Sequence, residues 1–539
     1  MPRTAVYDTT LRDGRQGAGI AFSLLDLLCI VRRLDELGVD YIEAGWPGSN
    51  PRDVEFFEVL KSERLRHAKI VAFGSTRHAR NQAASDPVLR SLAESGAPVV
   101  TVFGKAWDLH VREVFGISER QNLDMIRESV AWLKDQGREV FFDAEHFFDG
   151  YRDNPDFALR TLRAAAEGGA DLLALCETNG GMLPFDVEEI TRAVAGEFAL
   201  PIGIHCHDDS GCGVANTLAA VRAGASLVQG TINGLGERCG NANLITLIAD
   251  LSLKMGHEVL PSPAHLADLS DVSRLVSELA NMPHDPSLPY VGANAFAHKA
   301  GVHVNAVQKV ARSYEHCRPE LTGNSQHILI SDYSGKSSVI AKAREFHLDL
   351  EQKDLPQQIV DLVKDMENDG FQFEGADASF ELLMRQAMGQ TAPGFQLKGF
   401  RIITHKYEDK DSVNEATIKV VVNGVEEMAV AEGDGPVNAL DRALRKVLER
   451  FYPFLKDMSL VDYKVRILNG RAATAARTRV LIESKYGDEV WGTVGVSENI
   501  IEASWQALVD SIEYLLMKHF PAEGTKAPAD LPQNAARMP

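Results

Sequence analysis

The stretch Pro201-Ile202-Gly203-Ile204-His205-Cys206-His207-Asp208-Asp209 reads as a short buried strand whose last residues turn polar. Side chains alternate between the two faces of a strand, so His205 and His207 share one face and Cys206 takes the other. Two imidazoles leaving a strand together suit a divalent metal, because neutral imidazole ligates zinc, iron and related ions. Two histidines that cap the strand and hydrogen-bond the following loop would give the same pattern. On this stretch alone both readings stay open.

Outward from it, the same beat repeats. Strand-like apolar runs fall at 5–8, 41–44, 70–73, 99–102, 140–143, 172–175, 202–205 and 228–231, with amphipathic helical stretches between most of them. After the first run, Leu24, Leu27, Leu28, Val31, Leu34 and Leu37 keep helical spacing, with Ser23 as the N-cap and Gly38 as the stop. Eight strands alternating with helices over about 250 residues predict a (β/α)8 TIM barrel, an α/β fold. An open doubly wound sheet rarely needs eight strands in series. The unusual polar residues cluster where these strands end: Asp8 to Gln16, Glu43, Asp143 to His146, Glu177-Thr178-Asn179, His205 to Asp209, and Asn233 to Asn241. A barrel builds its active site at that face. Six strand ends loaded with Asp, Glu, His, Arg and Asn argue for catalysis over a purely structural barrel.

The catalytic barrel is expected over 1–260. From 261 to 390 the beat breaks at Pro261, Pro263, Pro283, Pro286 and Pro289, and helical linker subdomains follow. One helix is expected over 294–313, carrying His298 and His303, with Tyr314 close to its end. The part 391–520 reads as internally duplicated. A strand at 417–422, a turn at Asn423-Gly424 and a second strand precede a helix opened by Pro436, with Val437, Leu440, Leu444, Val447 and Leu448 on one face. The later copy has a strand at 478–482, a turn near Gly487, and a helix after Ser497 with Ile501, Trp505, Leu508, Ile512 and Leu515. Two such units make a small α+β domain, suited either to an effector in the cleft between its halves or to dimerisation alone. The tail 521–539, with Pro521, Pro528 and Pro532, reads as disordered.

Composition narrows the class. The 539 residues are 45% hydrophobic and 24% charged, ordinary for a globular protein. A net charge of −20 argues against a nucleic-acid partner, which would need a basic face. No apolar run approaches the roughly 20 residues needed to span a bilayer, so no membrane role is expected. Six scattered cysteines without a Cys-x-x-Cys pair and a start lacking a signal-like apolar region fit a reducing cytoplasm. Gly234-x-Gly236 is not a dinucleotide fingerprint, because its third glycine is wrongly spaced and it follows the last strand.

Three spaced motifs carry a family resemblance: Asp8-Thr9-Thr10-Leu11-Arg12-Asp13-Gly14-Arg15-Gln16, His205-Cys206-His207, and Gly234-Leu235-Gly236-Glu237-Arg238-Cys239-Gly240-Asn241. The chain resembles the 2-isopropylmalate synthase and homocitrate synthase family, which condenses acetyl-CoA with a 2-oxo acid. The likeness continues through Ala300-Gly301-Val302-His303 and Ser334-Gly335-Lys336 into the carboxyl-terminal part, so it covers nearly the whole chain. Within the family, Gly45-Trp46-Pro47-Gly48-Ser49-Asn50-Pro51 and Asp143-Ala144-Glu145-His146-Phe147-Phe148-Asp149-Gly150 look most like the branch that takes pyruvate and forms (R)-citramalate.

The resemblance implies Asp13, His205 and His207 as ligands of a divalent metal (Mn2+, Mg2+ or Zn2+), with Asn241 at or beside it. It implies Arg12 as the group that stabilises the alkoxide formed on the ketone; apart from the family, Arg12 reads as an ion-pair partner of Glu43 or Glu145. Glu145, His303 and Tyr314 match the family's remaining catalytic groups, with His303 as general base, Glu145 as its partner, and Tyr314 placing water or an oxyanion. Gln16 and Thr178 match positions that bind the oxo acid, although Cys176-Glu177 replaces the usual Pro-Asp ahead of the threonine. The resemblance further implies acetyl-CoA as co-substrate, a homodimer whose partner supplies His303 and Tyr314, and isoleucine as effector. Rival readings are a 2-isopropylmalate synthase, a lyase of the hydroxymethylglutaryl-CoA type, and a non-catalytic amino-acid sensor.

Overall fold

The computed structural model describes residues 2–519 apart from 351, 353, 391, 392, 409 and 469–475, so the expected tail 521–539 lies outside the described residues. Eight parallel strands close into a barrel in chain order. They are β1 (Ala5–Asp8), β2 (Tyr41–Gly45), β3 (Lys69–Ser75), β4 (Val99–Lys105), β5 (Glu139–Glu145), β6 (Leu172–Glu177), β7 (Ile202–Cys206) and β8 (Leu227–Gly230). Closure is made by β1 on β8, with Ala5 opposite Leu227 and Asp8 opposite Gly230. All eight expected strands are present.

Local chemistry sets the helices as expected. Ser23 and Asp26 form a reciprocal capping box at the start of the helix Leu24–Leu37, and Gly38 ends it at φ 92°, a conformation glycine adopts without steric cost. That helix buries Leu27, Ile30, Val31, Leu34 and Leu37 against the strands.

Polarity rises along the barrel axis. At the amino-terminal end the interior holds Tyr7, Val71, Val99, Phe141, Leu172 and Leu227. Further along, β4 and β5 pair Thr101 with Phe141, then Phe103 with Asp143, then Lys105 with Glu145. Alternation puts these on one face, so the inward side chains turn from apolar to charged toward the carboxyl ends.

The compact unit of the barrel continues past residue 260 to Phe296 and takes in Glu315–Gln326. Its helix Leu269–Leu279 buries Leu269, Val272 and Val276 in the barrel's own core. The second unit comprises Ala297–Tyr314 and the chain from His327 onward. The helix expected over 294–313 is shorter, running Gly301–Lys309. The reason is backbone pairing: Ala297 and His298 form a short parallel ladder with His327 and Ile328, so the helix begins only after it.

The rest of this unit has the helices Lys336–Glu345, Leu355–Asn368 and Asp377–Ala387, followed by two three-stranded antiparallel sheets. Strands Gln396–Tyr407, Lys410–Val422 and Val425–Gly433 precede the helix Pro436–Leu448. Strands Met458–Ile467, Thr478–Tyr486 and Glu489–Ser497 precede the helix Ile500–His519. The duplication is therefore βββα twice. The first strand of each copy escaped the sequence reading because its apolar residues are interrupted by charge. Among the described residues no helix is long and apolar enough to cross a membrane.

Candidate active site

Asp13 lies on the turn after β1, His205 on β7 and His207 one residue past its end. One potential ligand atom from each falls within 4.8 Å of the other two, and all three residues are buried. His205 Nε2 is 3.4 Å from His207 Nε2 and 3.5 Å from Asp13 Oδ2, and His207 Nε2 is 4.0 Å from the same oxygen. Cys206 points the other way, into the core between strands and helices. An isolated bridge pairs His207 with Asn241, bringing the loop after β8 to the same place. Asn241 donates from Nδ2 to Leu235 O at 3.1 Å, while its Oδ1 is buried with no hydrogen-bond partner. One carboxylate and two imidazoles, buried and with their ligand atoms converging, are the donor set a divalent ion satisfies, and the Asn241 side chain reaches the same carboxylate by a hydrogen bond. The residues fit the metal.

Electrostatics keep these groups in ligating form. Burial, then the adjacent His207, lowers His205 to about 3, and burial also lowers His207, so both rings are neutral at neutral pH. Burial alone would raise Asp13, but the Arg12 guanidinium beside it outweighs that and holds the carboxylate at about 2. Each ring is also oriented from behind. His205 Nδ1 lies 3.0 Å from Gln229 Oε1, and His207 Nδ1 lies 3.2 Å from Gly240 O.

Arg12 is fixed beside this cluster on three sides. Its Nε donates to Glu43 Oε1 at 2.5 Å, its Nη1 to Asp13 Oδ2 at 3.1 Å, and its guanidinium carbon sits 3.7 Å above the centre of the Phe73 ring. Of the two ion-pair partners open to it from sequence, Glu43 is the one observed. Glu43 is fully buried and also takes hydrogen bonds from Thr9 Oγ1 (2.5 Å) and the Tyr7 hydroxyl. Phe73 stacks on Phe103 at 5.3 Å between ring centres, and Trp46 meets both edge-on. These rings form an aromatic wall next to Arg12.

The other residues singled out from sequence spread further. Glu145 ends β5 in an ion pair with Lys105, its register partner on β4. Thr178 follows β6; its Oγ1 accepts from His146 N at 2.9 Å, and its carbonyl accepts from Arg238 Nη2 at 2.7 Å. Arg238, which also grips Asp209 through two bonds of 2.8 and 2.9 Å, ties the loops after β6, β7 and β8 together. Gln16 lies exposed on the turn Gly14–Gln16, just after Asp13. His303 and Tyr314 belong to the second unit, where their rings lie 4.4 Å apart and both residues are exposed.

Sequence reasoning did not single out Gln229 or Lys105, and it named Glu43 only as a strand-end carboxylate and one of two possible partners of Arg12. The available signal was a polar residue on the inward face of a barrel strand, such as Gln229 opposite His205. Burial also pushes Asp143 up to about 7, with the Glu43 charge adding to it, and lifts Glu177 to about 7. The mouth thus holds carboxyl groups both far below and far above their ordinary range, a feature of sites that handle protons.

The barrel and its mouth define a member of a known class: residues 3–276 match the HMGL-like family. Residues 290–370 match the homocitrate synthase post-HMGL domain-like family, and 374–516 the LeuA allosteric (dimerisation) domain. An (R)-citramalate synthase of Geobacter sulfurreducens is 53% identical over 98% of this chain and 100% of its own. One from Synechocystis sp. is 52% identical over 94% and 95%. A probable 2-isopropylmalate synthase of Methanopyrus kandleri is 32% identical over 96% and 99%. The chain belongs to the (R)-citramalate synthase family.

Proposed function

We propose that this enzyme is an acyltransferase that joins the methyl carbon of acetyl-CoA to the ketone carbon of pyruvate and hydrolyses the thioester, releasing (R)-citramalate and CoA. The observation that carries this reading is Asp13, His205 and His207 gathered at the barrel mouth beside an Arg12 immobilised by Glu43 and Phe73. A divalent ion held by Asp13, His205 and His207, with Asn241 at or beside it, would supply Lewis-acid polarisation of the ketone. Arg12 presents fixed N–H donors to the oxygen that becomes negative, and its prior immobilisation removes the cost of reorganising at that moment. Gln16 and Thr178 hold the oxo acid. Glu145 and His303 form the acid–base pair that takes the acetyl proton, and Tyr314 places the hydrolytic water. His303 and Tyr314 are proposed to come from the neighbouring subunit of a homodimer built on the carboxyl-terminal domain.

On this reading the oxo acid sits beside Arg12, and each extra methyl of a bulkier acid has to be seated against the rings of Trp46, Phe73 and Phe103. Such discrimination amounts to about 1–3 kcal/mol per group. The proposed product leads through 2-oxobutyrate to isoleucine, and isoleucine is the proposed inhibitor acting at the duplicated domain, in a cytoplasmic pathway.

The test is CoA release by thiol titration with Mn2+ or Mg2+, acetyl-CoA and each 2-oxo acid in turn. Release at least tenfold faster with pyruvate than with 2-oxoisovalerate is expected, falling to background in EDTA and returning when metal is restored. Preference for 2-oxoisovalerate would move the enzyme to leucine synthesis. Cleavage of hydroxymethylglutaryl-CoA without any condensation would make it a lyase, and no reaction at all would leave a sensor. Isoleucine, added to the same assay, is expected to slow it.

A further inference from the structure

Gln229 stands on β8 as the register partner of His205, and both are buried. Its side chain bridges two groups: Oε1 lies 3.0 Å from His205 Nδ1, and Nε2 donates to Asp143 Oδ1 at 3.0 Å. A primary amide has an acceptor end and a donor end, and the more one-sided of its neighbours decides which way it faces. Here that neighbour is Asp143. As a carboxylate Asp143 only accepts, and its Oδ1 is the atom that takes the Gln229 amide N–H. The amide nitrogen therefore turns to Asp143 and the oxygen to His205, so Nδ1 must carry the proton. The lone pair is then on Nε2, the atom that faces Asp13 and His207 at 3.5 and 3.4 Å. His207 receives the same instruction from a backbone carbonyl, Gly240 O, which no side-chain substitution removes.

We propose that Gln229, oriented by Asp143, is a positioning residue that selects the ligating tautomer of His205 and so sets the divalent-ion affinity of the site. The inference rests on the metal reading of Asp13, His205 and His207. It goes beyond that reading by giving two buried residues on β8 and β5, joined across the barrel interior by a hydrogen bond, a defined role. Groups that orient a ligating histidine in this way typically change metal affinity about 10- to 100-fold.

The experiment is Mn2+ binding to the full-length protein, followed by the loss of the free-ion EPR signal, with no substrate present. Q229L is expected to weaken binding about 10- to 100-fold, and D143N to weaken it less, because an amide beside an amide leaves both orientations open. The exchanged pair Q229E with D143N restores an acceptor toward Nδ1 and a donor between the two side chains, and its affinity is expected within a few-fold of wild type. If Q229L binds Mn2+ as tightly as wild type while D13N does not bind, the proposal is overturned and the metal site stands. Should D13N bind as tightly as wild type, the metal reading itself falls. If Q229L does not fold, the exchanged pair decides: affinity near wild type supports the tautomer relay, and a folded protein with affinity at least tenfold weaker overturns it.

Discussion

Asp13 at the barrel mouth and Asp510 on the last helix are both enclosed carboxyl groups, yet one is held at about 2 and the other is pushed up to about 7. Desolvation acts the same way on each. The difference lies in what answers the charge. Around Asp13 stand Arg12 and two imidazoles, and the nearby Glu145 has Lys105. In the carboxyl-terminal unit Asp510 is met by the Ser379 hydroxyl at 2.5 Å, and Glu513 by Gly394 N at 2.9 Å. A hydroxyl or an amide offsets only part of the cost of burying an ion, whereas a fixed cation can reverse its sign. At Asp13 the barrel thus keeps an acid ionised for chemistry, while Asp143 and Glu177 in the same mouth, without such an answering cation, are raised to about 7. The second unit keeps Asp510 protonated as part of its packing.

The sharpest way to break this contrast is at Glu43, where three donors converge on one acceptor-only group. In E43Q the amide N–H group would face Tyr7, Thr9 or Arg12, all of them donors, and Arg12 would lose its charged partner. Breaking a buried pair on one side costs about 3–5 kcal/mol, so chemical denaturation should show a clear loss of stability. CoA release should fall by roughly 10²–10³, the usual consequence of removing preorganised oxyanion stabilisation.

A smaller effect is expected at Lys105. K105M keeps the length of the side chain and its place over the Phe103 and Phe115 rings but leaves Glu145 without its cation. The turnover number should drop roughly 10- to 100-fold, within the range for loss of one acid–base element, while KM for pyruvate changes little. An equal change in both constants would place Lys105 in substrate binding instead.

The mildest effect concerns Asp510. Its folded form holds the proton up to about pH 7, while the unfolded chain gives it up near 4. The unfolded state therefore binds fewer protons between these values, and stability contributed at low pH is lost as pH rises from about 4 to about 7. D510N removes that dependence. Thermal unfolding should show the variant gaining a few degrees over wild type at pH 8, with the gap closing as pH is lowered toward 4. A gap independent of pH would mean that the carboxyl group is not the cause.

Much of this architecture was legible in the letters. The short apolar runs, set apart by stretches of helical spacing, marked all eight barrel strands, and Ser23 and Gly38 marked the ends of a helix by capping chemistry that acts within a few residues. The His205–His207 pair was readable because strand alternation fixes which side chains share a face. What could not be read was the helix over 294–313, because its first residues are claimed by a backbone ladder to His327 and Ile328 some 30 positions away. The choice of Glu43 over Glu145 for Arg12 was open for the same reason: both are strand-end carboxylates, and only barrel closure says which one stands beside β1.

By itself, then, the sequence determined the eightfold beat, the duplication of a strand–turn–helix unit in the carboxyl-terminal part and the kinds of residue at the strand ends, all of which follow from local periodicity and short-range capping. The first strand of each βββα copy came only with the structure. Only the tertiary structure decided which carboxylate meets which cation, which way the Gln229 amide faces, and that Asn241 Oδ1 is left unanswered beside His207. Those outcomes depend on directional contacts and on desolvation between residues far apart in the chain, and neither leaves a periodic trace in the sequence.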